Sequence, residues 1–248
     1  MPSKKGDRCQ CDPRCGRAPI NGQPFCATHA RLCKRTSPLS GWEPDYNPDL
    51  YNKDKRIRES HNCFAYAFGV YDPPANHMCD SSGNCDVKFH QPGNFAGYKG
   101  FTSKAKKRCP DIVARVLGDN PAVRLVGFED KCPPGTSKVA FAVDPANDYH
   151  VWRQDSNGLW SDKHGAQPVG NRDASSRLQY DPALSNRNYG YSTPLNYTQF
   201  CTYMCVPRGA TIRAARSGGG RQRQRQRQRA TRRKRKVTRT ATYKKRLH

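Results

Sequence analysis

Three residues in the middle of the chain have the types that nucleophilic catalysis requires. In "SHNCFAYAFG" (60–69), Cys63 opens a short apolar run that Gly69 stops, so it sits where a helix would begin. Unpaired N–H groups and the helix dipole favour a thiolate at such a position. A cysteine nucleophile also needs a base within hydrogen-bond reach. His150, in "VDPANDYHVWRQD", is the best candidate, and a strand period of two puts it on one face with Trp152 and Gln154. A polar group on a neighbouring strand should orient the imidazole. "LWSDKHG" returns alongside and offers Asp162, with His164 as second choice. The plain alternative is a buried core cysteine and a strand histidine that is merely hydrogen-bonded.

A second set lies near the start of the chain. Cys9, Cys15, Cys26 and His29, read as C-x5-C-x10-C-x2-H, supply four ligands for tetrahedral zinc, with Cys11 and Cys33 ambiguous. Residues 1–35 are too poor in large apolar groups to fold by burial, so metal binding would supply the folding energy. A disulfide knot is the competing account. Of the remaining cysteines, Cys79 and Cys85 could close a small disulfide loop. Cys109, Cys132, Cys201 and Cys205 are not assigned by spacing, and C-x3-C suits neither one strand face nor a plain zinc knuckle.

The elements that must position Cys63 and His150 follow from the local pattern. Residues 57–69 read as a helix ended by Gly69. A long loop follows, and "SKAKKRCPDIVARVLGD" predicts a helix over about Asp111 to Leu117 with Pro110 at its first turn. "SKVAFAVDP" alternates Val139, Phe141 and Val143 as a strand does. "DYHVWRQDSNGLWSD" is a hairpin turning at Asp155–Gly158, and "NYTQFCTYMCVP" supplies a last strand. A helix first and a meander of strands afterwards gives an α+β domain over 57–207. It is flanked by the 1–35 zinc-binding-like module, a Pro-rich extended connector at 36–56 and a basic low-complexity tail at 208–248.

Composition limits the partners. The 248 residues are 35% apolar and carry a net charge of +24 from 44 Lys and Arg against 20 Asp and Glu. Residues 208–248 hold 17 of those basic residues and no acid, leaving 27 basic against 20 acidic elsewhere. The excess is mostly a property of the tail. In "RQRQRQRQR", Arg221, Arg223, Arg225, Arg227 and Arg229 point one way in an extended chain, and Arg232, Arg233, Lys234, Arg235 and Lys236 continue the charge. Such a strip could lie along phosphates, an anionic membrane surface or an acidic protein groove. A solubilising tail or a nuclear localisation signal would look the same. No apolar run approaches the roughly 18 residues of a membrane span, and the first residues lack the apolar core of a secretory signal. A soluble protein made in the cytosol is expected.

Residues 60–207 resemble a group of proteins of large DNA viruses, the chlorella-virus and mimivirus relatives, with bacterial counterparts. The resemblance lies in "SHNCFAYAFG", "DYHVWRQDSNGLWSDKHG" and "FCTYMCVP", and "SPLSGWEPDYNP" ahead of the core is similar to the viral members too. The order Cys on a helix, His on a strand, polar residue on the next strand also resembles papain-like cysteine hydrolases of the NlpC type. That resemblance implies a papain-like core, a helix bearing Cys63 packed on an antiparallel sheet, with Cys63 as nucleophile, His150 as base and Asp162 as orienter. The bacterial motif has a histidine where Asp162 stands and a proline where His164 stands, so the third role is the departure. Two functions are expected from this. One is a minor capsid-associated protein of a large icosahedral DNA virus, made in the host cytoplasm, whose arms and tail bind neighbouring capsid proteins, the inner membrane surface or DNA. The other is a virion-packaged cysteine peptidase or amidase.

Overall fold

The computed structural model describes residues 16–18, 26–27, 36–100, 107–190, 193–209 and 212–216. Of the zinc ligands named above, Cys26 is buried, and Cys9, Cys15 and His29 lie outside the described residues, as do the tail positions from Arg221 to Lys236. Four helices come first: α1 (Asp49–Asn52), α2 (Lys55–Ser60), α3 (Cys63–Ala67) and α4 (Cys109–Asp119). Six strands follow: β1 (Arg124–Val126), β2 (Thr136–Asp144), β3 (Asp148–Gln154), β4 (Trp160–Lys163), β5 (Val169–Gly170) and β6 (Gln199–Pro207). They form one antiparallel sheet in the order β1-β6-β2-β3-β4-β5. The class is α+β, as the pattern of elements predicts.

The sheet is covered on both faces, and the alternation in β2 divides the core. Val139, Phe141 and Val143 face Phe64 and Phe68 of α3 and Ile112 and Val116 of α4. Ala140 and Ala142, on the other face, leave room for Trp152, Trp160 and Tyr197. Each large apolar side chain removed from water contributes roughly 1.5–3 kcal/mol, so the pairing of α3 with β2 and β3 is the main constraint on Cys63. The hairpin turn closes as expected, with Gly158 at φ 83° and its N–H donating to Asp155 O (2.9 Å). Only a residue without Cβ adopts that angle cheaply.

Among the described residues three disulfides close within this frame: Cys79–Cys85, Cys109–Cys201 and Cys132–Cys205. The last two explain the C-x3-C pair. Between Phe141 and Ala142 the β2–β6 register slips, because Thr202 pairs with Phe141 and Phe200 with Ala142, leaving Cys201 as the extra residue of a bulge. The bulge re-aims Cys201 towards the start of α4, while Cys205 reaches the loop before β2.

Two buried lysines clamp the periphery. Lys138 Nζ donates to Ser37 Oγ, Phe128 O and Asp130 O. Lys163 Nζ donates to Arg58 O, Gly165 O and Gln167 O. Residues 36–56, expected as an extended connector, carry no helix or strand up to Pro48, bend at Gly41, and then form α1 and the start of α2, and they are docked along the domain. Gln154 Nε2 donates to Ser37 O (2.6 Å), Ser156 N to Pro44 O (3.0 Å), and Tyr51 is buried against Ile57, Tyr66 and Val169. Among the described residues no helix is long and apolar enough to cross a membrane.

Candidate functional site

The expected helix over 57–69 is two helices. Asn62 interrupts it: its Oδ1 accepts from Ala65 N (3.1 Å) as an N-cap, and its Nδ2 donates to His90 O (2.9 Å). His61 and Asn62 are extended, and Cys63 becomes the first residue of a new helix. Gly69, at φ 69°, ends that helix. Cys63 is only 5% exposed and lies against β3, with its thiol 4.0 Å from Tyr149 O. Burial pushes the thiol pKa well above its usual range, and the nearby Asp148 carboxylate adds to the shift. In this state Cys63 is a neutral thiol.

His150 is buried on the Trp152 side of β3, with its ring 4.5 Å from Trp152 and 5.0 Å from Tyr197. The β3–β4 register sets Asp162 opposite Trp152, which brings its Oδ2 to 2.7 Å from His150 Nε2. Gln179 Nε2 donates to the other oxygen at 3.2 Å. Asp162 is buried, which by itself would raise its pKa, but His164 and His150 hold it well below the usual carboxylate range. With Nε2–H given to that carboxylate, Nδ1 carries the lone pair, and it makes no hydrogen bond among the described residues. Burial, with help from His164, lowers the His150 pKa to about 4, so the imidazole is neutral at pH 7.

A cavity of about 570 Å³ joins the two groups, and both Cys63 and His150 line it. Among the described residues no hydrogen bond links them; the thiol contact is to Tyr149 O. Of the three residues singled out from sequence, Cys63 and His150 line one cavity and Asp162 stands behind His150, so the His150–Asp162 pair is formed and the Cys63–His150 pair is not. Three further lining residues matter: Asp148 and Gln91, which sequence reasoning missed, and His164, its second choice as orienter. Asp148 was within reach of the same period-two argument that selected His150. His164, weighed only as an alternative orienter, stacks on His150 at 4.1 Å and touches the same Asp162 oxygen at 2.9 Å. Gln91 comes from the long loop and carries no sequence signal. Its Oε1 accepts from the Tyr149 hydroxyl (2.5 Å), leaving its NH2 group without a hydrogen-bond partner among the described residues.

His150, Asp162 and His164 have the donor types of a metal site, with ligand atoms within 4.8 Å of one another. The rings, however, are nearly parallel at 14°. Imidazole lone pairs lie in the ring plane, so two stacked rings do not converge on one ion. His164 Nε2 is also out of line for a hydrogen bond to Asp162. As arranged, one carboxylate serves two imidazoles, and an ion would require one ring to swing.

No family model matches the chain, and no solved structure does. It is similar to insoluble matrix shell protein 1 of Ruditapes philippinarum, 26% identical over 142 residues, which cover 57% of this chain and 80% of that protein.

Proposed function

We propose that the domain is a papain-like cysteine hydrolase of the NlpC type, acting on peptide or amide bonds. The observation that supports it is the carboxylate-anchored imidazole, whose unbonded Nδ1 belongs to a residue lining the same cavity as a cysteine at a helix start. Cys63 Sγ attacks the carbonyl carbon, its proton passes to His150 Nδ1, and the carbonyl oxygen takes the negative charge. The Cys63 backbone N–H and the free NH2 group of Gln91 are the donors available to that oxygen. His150 then protonates the leaving amine, and water hydrolyses the thioester by the reverse proton path. Both groups are neutral at rest, so the proton moves during attack and substrate binding must first close the Cys63–His150 distance. Catalytic hydrogen bonds commonly tighten only with substrate bound.

The test follows from that resting state. A peptidyl chloromethyl ketone should label Cys63, mapped by mass spectrometry, while iodoacetamide labels it slowly at pH 7. His150→Ala should stop labelling by the peptidyl probe. Labelling that is indifferent to His150, or absent with a range of peptidyl probes, sinks the reading.

A structural role is the second reading, supported by three disulfides among the described residues of one domain and by the basic tail. The chain would then be a minor capsid-associated protein of a large DNA virus, found in the virion. Its zinc module and tail would engage capsid proteins, DNA or an inner membrane surface. Its test is deletion of Ser217–His248. The cut belongs there because Arg216 bonds Asp72, Ser60 O and Lys88 O. Unchanged particle incorporation counts against this role. Zinc is tested by metal analysis of the whole chain against Cys26→Ser, in which the metal content should fall.

A further inference from the structure

The cavity that holds Cys63 and His150 also contains one carboxylate that the proposed chemistry does not use. Asp148 begins β3, lies two residues before His150, and is half-buried at the cavity wall. Its Oδ1 accepts from the N–H of Tyr149 (2.8 Å). Among the described residues it forms no ion pair, and no Lys or Arg lines the cavity. The surrounding walls are aromatic, with Phe89, Tyr189 and Tyr197 each contributing a ring. Lys107 and His164 act on this carboxylate without forming an ion pair with it, so part of the cost of withdrawing it from water remains, and an incoming cation relieves that cost. Aromatic faces add to the attraction for a cation once water is excluded.

We propose that Asp148 forms a subsite for a primary ammonium group of the ligand, placed beside Cys63. The inference rests on the hydrolase reading only for the claim that the ligand is a substrate; the binding claim stands on the cavity itself. A compact ammonium fits better than a guanidinium. Asp148 has already given one oxygen to its own backbone and cannot offer a free two-oxygen fork, the arrangement that a guanidinium uses best. Two sources share this chemistry, a free peptide N-terminus and a lysine-type side chain. Burial raises the Asp148 pKa from its ordinary value, which a bound ammonium would reverse.

The experiment uses the full chain carrying Cys63→Ala, so that binding is read without turnover. Dissociation constants at pH about 7 are measured for alanyl-glycinamide and its N-acetyl counterpart. A second pair is Nα-acetyl-lysine methylamide and its Nε-acetyl counterpart. One ammonium-bearing probe should bind about tenfold or more tighter than its acetylated partner, the size of a charge-assisted contact. Whichever pair discriminates identifies the source. Adding Asp148→Asn, which keeps shape and the Tyr149 hydrogen bond, should bring the two members within about twofold at an unchanged melting temperature. Equal binding within both pairs, no binding up to about 10 mM, or a preference that survives Asp148→Asn overturns the proposal. If the preference holds and the Cys63 protein still cleaves no amine-bearing peptide, the hydrolase reading fails and the ammonium subsite stays.

Discussion

His61, at the junction of α2 and α3, and His150, on β3, are both fully buried. Burial drives both to a pKa of about 4, with His164 adding to the shift at His150. Their bonding separates them. His61 Nδ1 donates to Ile57 O (2.9 Å), and its Nε2 accepts from Asp72 N (3.0 Å), so neither ring nitrogen is left over. Around it, Arg216 reaches Asp72 and the Ser60 and Lys88 carbonyls, and His90 Nε2 stands 3.2 Å from Asp72. His150 spends one nitrogen on Asp162 and keeps the other. A displaced pKa therefore does not by itself mark a site; an unspent lone pair beside a cavity does.

The sharpest way to break this comparison is to remove each ring. Under the hydrolase reading, His150→Ala should cut turnover by about a thousandfold or more, within the range that general-base loss produces, with the fold retained. His61→Ala should do the reverse and destabilise the domain by about 1–3 kcal/mol, because it orphans the Asp72 N–H and leaves the Ile57 carbonyl only its Ser60 hydroxyl bond. Denaturant titrations and initial rates on both variants separate the cases. Equal rate losses, or a His150→Ala protein that unfolds, would erase the distinction between the two regions.

Asp162→Asn sharpens the same contrast at a smaller scale. The amide keeps the shape but removes the charge that fixes the His150 tautomer and steadies the imidazolium formed during attack. A rate loss of roughly a hundredfold is expected. The retained Gln179 and His150 contacts should leave the melting temperature within a few degrees. A melting temperature that falls steeply with no rate change would make Asp162 a structural carboxylate.

How much of this was legible in the sequence depends on the range of the interaction that decides each feature. The hairpin, β2 and β6 follow from alternation over neighbouring residues, and Asp162 was reachable because a tight turn fixes which residue faces His150. The helix around Cys63 was read as continuous, because a mid-run Asn is weak evidence of a break until its side chain is seen to cap. The bulge at Cys201 has no local signature, so the destinations of Cys201 and Cys205 were not readable. Gln91, brought to the cavity by a long loop, was not readable either. Asp148 is readable: period two places it on the His150 face.

The disulfides contrast with the cavity as the rigid part of the molecule, and their loop lengths rank them. Cys109–Cys201 spans 92 residues and Cys79–Cys85 only 6. Chain entropy makes the long closure worth about 4–5 kcal/mol and the short one about 2–3 kcal/mol at most. Cys201→Ser should therefore lower stability more than Cys85→Ser in guanidinium titrations. If the two are equal, or Cys85→Ser is the more damaging, local packing rather than loop closure governs both.

The smallest effect expected is the pH dependence of stability, and its sign comes from the histidines. His61, His90 and His150 each have a folded pKa of about 4, against about 6.5 in an unfolded chain. Above pH 6.5 all three are neutral in both states and cost nothing. Between about 6.5 and 4 the unfolded chain takes up protons that the folded domain refuses, so stability falls as the pH drops. Asp119, buried and raised to about 6, works in the opposite direction, as do Asp148 and Asp155, which burial also raises, since the folded state binds their protons first. The three large histidine shifts outweigh these, and the melting temperature should fall by several degrees between pH 7 and pH 4.5. His150→Gln, which cannot take up the proton in either state, should flatten that slope without removing it. A melting temperature that holds or rises over this range would mean that water reaches the histidines freely, and the contrast between a sealed His61 and a half-committed His150 would lose its physical basis.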